Sequence, residues 1–206
     1  MEIIILKEGT HEDKPGSSNI ARAVENICST VVLLKSEINI LVDPGNFGFE
    51  DDVLNALESH GLTPEDIHVV INTHAHLDHI SNNYLFKHAK IITACPETIW
   101  YDTKVDVFKN IENIDLPVKL IRTPGHIDKH LSVIAKGDDG KVYVIAGDAV
   151  TERQIKSGNP EVLNPDFVKS AKKIFEVADV IIPGHGPIIQ DEKFGELREI
   201  VEQMEV

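Results

Sequence analysis

One heptapeptide constrains this chain more than any other feature: Thr73-His74-Ala75-His76-Leu77-Asp78-His79, which follows directly on the apolar run Ile67-His68-Val69-Val70-Ile71-Asn72. Three imidazoles and a carboxylate in so short a stretch make a dense set of metal ligands, and a buried strand before them would hold the loop rigid. In an extended segment residues two apart face the same side, so His74 and His76 can converge on one ion. Asp78 and His79, at the start of a following helix, can turn toward a second. The bland alternative, a solvated polar loop, weakens as further ligands accumulate at other strand ends.

Thr123-Pro124-Gly125-His126 follows an apolar run at 118–122, Gly147-Asp148 follows 141–146, and Pro183-Gly184-His185-Gly186 follows 179–182. In isolation His126 and His185 read as turn histidines and Asp148 as a helix cap. With the heptapeptide they put five histidines and two aspartates at strand ends of one sheet system, where loops commonly build active sites.

The remaining runs read as elements of a mixed α/β chain. Strands are expected at 2–7, 31–35, 38–42, 67–72, 90–94, 118–122, 131–136, 141–146 and 179–182. Ser36-Glu37 and Asp138-Asp139-Gly140 read as hairpin turns. Helices are expected at 49–60, ended by Gly61, at 165–178 and at about 191–204, with a capped turn at Thr63-Pro64-Glu65-Asp66. Gly9 to Asn19 reads as an exposed loop, and the segments 8–22, 43–49, 100–115 and 150–163 are expected to shape specificity. Each half carries antiparallel strands, a helix, a strand and then a histidine-bearing loop. Two packed sheets with helices outside follow from that rhythm.

Composition narrows the function classes. The 206 residues carry Lys+Arg 20 against Asp+Glu 34, a formal net charge of −14, which argues against broad electrostatic binding to nucleic acid or anionic membrane. Hydrophobic residues at 42% suffice for a core without disulfides. Cys28 and Cys95 form no C-x-x-C pattern and read as reduced thiols. No membrane span or secretory leader is evident, so a single cytoplasmic domain over 1–206 is expected.

THAHLDH, TPGH, GD and PGHG, in this order and at these separations, resemble the metallo-β-lactamase superfamily across nearly the whole chain. The resemblance implies a four-layer αββα sandwich, two mixed β-sheets flanked by helices, with a dinuclear metal site. It implies one metal on His74, His76 and His126, the other on Asp78, His79 and His185, and Asp148 bridging. The donors suit Zn²⁺ first and accept Fe or Mn. A hydroxide bridging two divalent metal ions would then attack an ester, thioester or lactone carbonyl of a small molecule, as in glyoxalase II-like hydrolases, with Asp78 catalytic through orienting that hydroxide or protonating the leaving group. Two alternatives are carried: an endoribonuclease or phosphodiesterase acting on RNA, which the acidic charge ranks second, and an iron-dependent oxidoreductase. No accessory substrate domain is expected beside the domain at 1–206. Oligomeric state is open, a homodimer included.

Other residues receive plainer readings. His130 is expected at a strand-edge surface, His11 as a solvated loop histidine, and His60, His68 and His88 as structural or exposed. Tyr84 is read as packing, and Arg153 and Lys156 as exposed loop charge. Thr73 and Asp43 are expected to hold ligating histidines through their second ring nitrogen.

Overall fold

Alternate residues of the central apolar runs belong to different cores, which explains why these strands are apolar throughout rather than alternating with polar residues. A computed structural model describes residues 1–17, 19–159 and 161–205. The first sheet is seven-stranded, in the order β1 (Glu2–Lys7), β4 (Val31–Lys35), β5 (Ile40–Val42), β6 (Val69–Asn72), β7 (Lys90–Ala94), β8 (Glu97–Tyr101), β9 (Lys104–Val107). The second is four-stranded, in the order β10 (Lys119–Arg122), β11 (Leu131–Lys136), β12 (Val142–Gly147), β13 (Val180–Pro183). Val32, Leu34, Ile40, Val42, Val69 and Ile71 of the first sheet meet Leu131, Val133, Ile145 and Ile182 of the second in one buried cluster between the sheets.

The residues in between point outward. Leu33, Leu41 and Val70 pack with Val53 and Leu57 of helix α1 (Glu50–Ser59). Val144 and Ile181 pack with helix α4 (Pro165–Val177) and helix α5 (Asp191–Gln203). Helix, sheet, sheet, helix is therefore the layer order, as expected for an αββα sandwich. Within α4 the buried Phe167, Ala171, Ile174 and Phe175 recur at helical spacing, Pro165 occupies the first turn, and Asn164 caps it by accepting from Phe167 N–H at 2.9 Å. Phe167→Ala would cost about 3–5 kcal/mol through the cavity it leaves.

The internal rhythm is visible in the pairing. β4 and β5 are antiparallel and β5 and β6 parallel across α1, while β11 and β12 are antiparallel and β12 and β13 parallel across α4. Loops leaving the parallel strands β6, β12 and β13 at their carboxyl ends build most of the site.

Three expectations are corrected. Gly9 to Asn19 is not a loop: β2 (Thr10–Ser17) and β3 (Ile20–Cys28) form a separate two-stranded hairpin. The 100–115 segment holds the end of β8 and all of β9, whose residues are exposed at the sheet edge, and 150–163 holds the short helix α3 (Glu152–Lys156). Ile38 lies outside β5 and is exposed. Both cysteines are free thiols, Cys28 buried and Cys95 exposed. Among the described residues no helix is long and apolar enough to cross a membrane.

Candidate metal centre

The heptapeptide is divided by its backbone. His74 lies in the bend that follows β6, and His76 is extended, with φ −70° and ψ 142°, at the entry to the short helix α2 (Leu77–Ile80) that carries Asp78 and His79. His74 and His76 thus share a side, and Asp78 and His79 turn away in the first helical turn. The second sheet supplies the rest: His126 from the β10–β11 connection, Asp148 after β12 and His185 after β13. A hydrogen bond from Leu131 N–H to Thr73 O, 2.8 Å, joins the two sheets beneath the site.

Two groups of side chains result. One ligand atom from each of His74, His76, His126 and Asp148 lies within 4.8 Å of the others, and so do atoms from Asp78, His79 and His185. Asp148 faces both groups. Its Oδ2 is 3.4 Å from His126 Nε2 and 4.0 Å from His74 Nε2, and its Oδ1 is 3.4 Å from His79 Nε2 and 3.6 Å from His185 Nε2. His185 Nε2 also meets Asp78 Oδ2 at 3.0 Å, and His126 Nε2 approaches His76 Nδ1 to 3.0 Å.

Hydrogen-bond partners assign the tautomers of three rings. His185 Nδ1 lies 3.1 Å from the carbonyl oxygen of Thr10, which only accepts, so Nδ1 carries the proton. His79 Nδ1 donates to Asp43 Oδ2 at 2.8 Å. The Thr73 hydroxyl donates to Asp43 Oδ2 at 2.7 Å, leaving its oxygen to accept from His74 Nδ1–H at 3.1 Å. In all three the protein holds Nδ1 and leaves Nε2 facing the centre, so the neutral ring offers a cation its Nε2 lone pair. Asp43 also accepts from Thr73 N–H at 2.8 Å and has φ 51°, a left-handed conformation that aspartate tolerates better than most residues.

Buried polar atoms here lack partners. His74 Nε2, His79 Nε2 and Asp148 Oδ1 are inaccessible to solvent and have no hydrogen-bond partner among the described residues. Such atoms are costly unless something binds them. Imidazole nitrogens and carboxylate oxygens are suitable donors for Zn, Fe or Mn, so the residues present fit divalent cations.

The electrostatics are those of a desolvated cluster. Burial alone would raise the Asp148 carboxyl, but the imidazoles around it, His79 foremost, hold it well below the carboxylate range. Burial likewise opposes the charged form of His79, yet the Asp43 and Asp148 carboxylates raise it well above the ordinary histidine value. Burial lowers His74 and His126, and it pushes His130 down to about 3. Burial opposes ionisation of Asp78 too, but its bond to His185 prevails and lowers it.

His130 is not at the surface. It is 1% exposed, stacks on His74 with ring centroids 4.9 Å apart and planes at 26°, and sits 3.1 Å through Nδ1 from Thr123 Oγ1. Buried Thr123 and Ser132 form a polar niche that no local pattern announces. Gly147, with φ +50°, closes it: a Cβ there would come to 2.5 Å from Thr73 Oγ1 and 3.1 Å from His130 Nε2. His11 is also displaced from its expected place, standing on β2 edge-on to His185 with centroids 5.5 Å apart.

A cavity of about 890 Å³ opens beside the centre, lined by His126, Asp148 and His185 together with His11, Arg153 and Asn159. Arg153 pairs with Asp13 of β2 at 2.8 Å, which ties the hairpin to α3 across the cavity mouth. Lys156 instead pairs with Glu152 at 3.1 Å and Glu196 at 2.9 Å. Tyr84 is exposed and donates to Glu50.

The family model described as the metallo-beta-lactamase superfamily matches residues 23–129. The chain belongs to the metallo-β-lactamase superfamily. Its sequence is 33% identical over 178 residues to metallo-beta-lactamase domain-containing protein 1 of Xenopus laevis, covering 82% of this chain and 75% of that protein. It is 37% identical over 158 residues to a Methanocaldococcus jannaschii protein named "Probable metallo-hydrolase", covering 75% of this chain and 74% of the other. Among solved structures, a metallo-β-lactamase-like protein of Thermotoga maritima superposes with a TM-score of 0.67 at 22% identity, over 92% of this chain and 99% of that one. The superfamily relation makes this chain a metallo-hydrolase homologue with the metallo-β-lactamase fold.

Proposed function

We propose that the chain is a metal-dependent hydrolase that opens an ester, thioester or lactone carbonyl of a small molecule. The observation that carries this reading is Asp148, one oxygen turned to each of two histidine groups whose buried Nε2 atoms include two without partners. His74, His76 and His126 would hold one divalent cation, and Asp78, His79 and His185 the other, with Asp148 shared. Zinc is the first choice for both, since five of the seven donors are imidazoles, and iron or manganese, which accept the same nitrogen and oxygen donors, is the alternative. Bound there, a pair of such ions polarises a carbonyl or phosphoryl oxygen and makes water acidic enough to ionise near neutral pH.

The protein's own groups do the rest. Asp78 is half-buried and its carboxylate is held ionised by its Oδ2 contact with His185, so its other oxygen, Oδ1, can take a proton from water and return it to the leaving group. Thr73, Asp43 and the Thr10 carbonyl fix three imidazoles before substrate arrives. The cavity has the volume of a small-molecule site.

Phosphodiester cleavage, with RNA as substrate, ranks second: the net charge of −14 and the acidic Glu152 and Glu161 at the cavity count against a polyanion. Hydrolysis of a generic thioester, a lactone and bis-p-nitrophenyl phosphate, after reconstitution with Zn²⁺, Mn²⁺ or Fe²⁺, tests the reading. Chelator-sensitive turnover of a carbonyl substrate is expected. Phosphodiester turnover alone would favour the second reading, and oxygen consumption with iron and no hydrolysis would favour an oxidoreductase.

A further inference from the structure

His130 does not belong to either group of ligand atoms, yet it is the most enclosed imidazole beside them apart from His74 and His79. Its surroundings define both its orientation and its proton. Ser132 Oγ donates to Ala146 O at 3.4 Å, so the Thr123 hydroxyl, 2.8 Å from Ser132 Oγ, donates to that oxygen and keeps a lone pair for His130 Nδ1–H. His130 Nε2 then bears a lone pair and has no partner among the described residues. The ring is thus held at its Nδ1 edge by the buried Thr123 hydroxyl, itself oriented by Ser132, and presents its face to His74.

The His76, His79 and His126 rings meet His74 at steep angles, 74°, 58° and 86°, and among the described residues only the His130 ring stacks on its face. Thr73 Oγ1 fixes its Nδ1 edge and His130 covers one face at a 26° interplanar angle, while its Nε2 is directed toward Asp148. The ring turns about its Cβ–Cγ bond, and the single hydrogen bond at Nδ1 resists that turn without stopping small rotations. A flat group packed against the face removes that rotation. We propose that His130 is a positioning residue whose ring face fixes the plane of His74 and so directs His74 Nε2 at the cation site it shares with His76 and His126. This inference rests on the metal-dependent reading of the site.

The test compares His130→Phe, which keeps a flat ring and loses the Thr123 contact, with His130→Leu, which fills much of the same space without a flat face. Zn²⁺ is titrated into each metal-free protein against a chromogenic chelator, with folding verified by circular dichroism. Partners that orient ligating histidines typically contribute about 10–100-fold in metal affinity. Binding of one zinc equivalent should weaken by about that factor in His130→Leu, with the other equivalent little changed, and His130→Phe should recover to within about 3-fold of wild type. Co²⁺ substitution adds a readout that a stability defect would not move: the ligand-field spectrum of one site should change in His130→Leu and not in His130→Phe. Equal affinities and spectra in both variants and the wild type would overturn the inference while leaving the metal-dependent reading intact. A folded wild-type protein that binds none of zinc, manganese or iron would overturn that reading, and the inference with it.

Discussion

Asp43 and His79 are 36 positions apart and form a buried pair, Nδ1 to Oδ2 at 2.8 Å, beneath the histidine cluster. The same carboxylate receives the amide and hydroxyl of Thr73, so one aspartate orients the loop after β6 and a ring on α2 together. Asp43→Asn removes the charge and one acceptor. Metal affinity should fall by about 10–100-fold, as measured by chelator competition. Asp43→Ala leaves Thr73 and His79 without their acceptor and should cost about 3–5 kcal/mol in chemical denaturation of the metal-free protein.

Gly184 brings β13 against the shared carboxylate. A Cβ at this position would collide with Asp148 Oδ1 and come to 2.9 Å from His79 Cε1, and Gly184 N–H donates to Gly147 O at 2.7 Å. Gly184→Ala is therefore expected to lose about 1–3 kcal/mol of stability from overpacking. The displaced Asp148 should also lower the metal content of the purified variant, measured by elemental analysis.

Away from the centre, Arg122 on β10 donates from Nε to Glu97 Oε1 on β8 at 2.6 Å and from Nη2 to the other oxygen, linking the edge strand of the second sheet to the last strand but one of the first. That paired guanidinium lowers the Glu97 carboxyl from its ordinary 4.5. Because the folded value lies below the unfolded one, the stabilisation is fully present above about pH 4.5 and is lost as pH falls through the folded value. With Arg122 partly exposed, Glu97→Gln should cost about 1 kcal/mol at pH 7, and the difference from wild type should shrink in urea melts below pH 4.

Much of the architecture was legible because the strands that build it are buried on both faces. Val31 to Leu34 and Val69 to Ile71 read as apolar runs whichever way they face. The β2–β3 hairpin was not legible: His11, Glu12, Asp13 and Lys14 leave β2 largely exposed, and Pro15 and Gly16 imitate a loop. β9 is exposed at every position and offers no periodicity either. At the site, the seven proposed ligands stood out by type and spacing after strand ends. His130 was hidden by its neighbours Asp128 and Lys129, which suggest a surface, whereas its niche is made by Thr123 and Ser132 from the paired strand ends and by Gly147, none of which a local pattern connects to it.

His76 is the most accessible of the proposed ligands, exposed where His74 and His79 are buried. His76→Ala should therefore leave the fold intact and reduce turnover at least about 100-fold, since losing a direct ligand costs no less than losing an outer partner. Wild-type rates in a metal-replete His76→Ala protein would contradict its role. Far-ultraviolet circular dichroism of the same sample checks that the loss is not unfolding.

If Asp148 joins two cation sites, the metal-to-protein ratio after reconstitution and removal of loosely bound ions should be about two divalent ions per chain in the wild type and fall sharply in Asp148→Ala. A folded wild-type protein that retains no zinc, manganese or iron would contradict it.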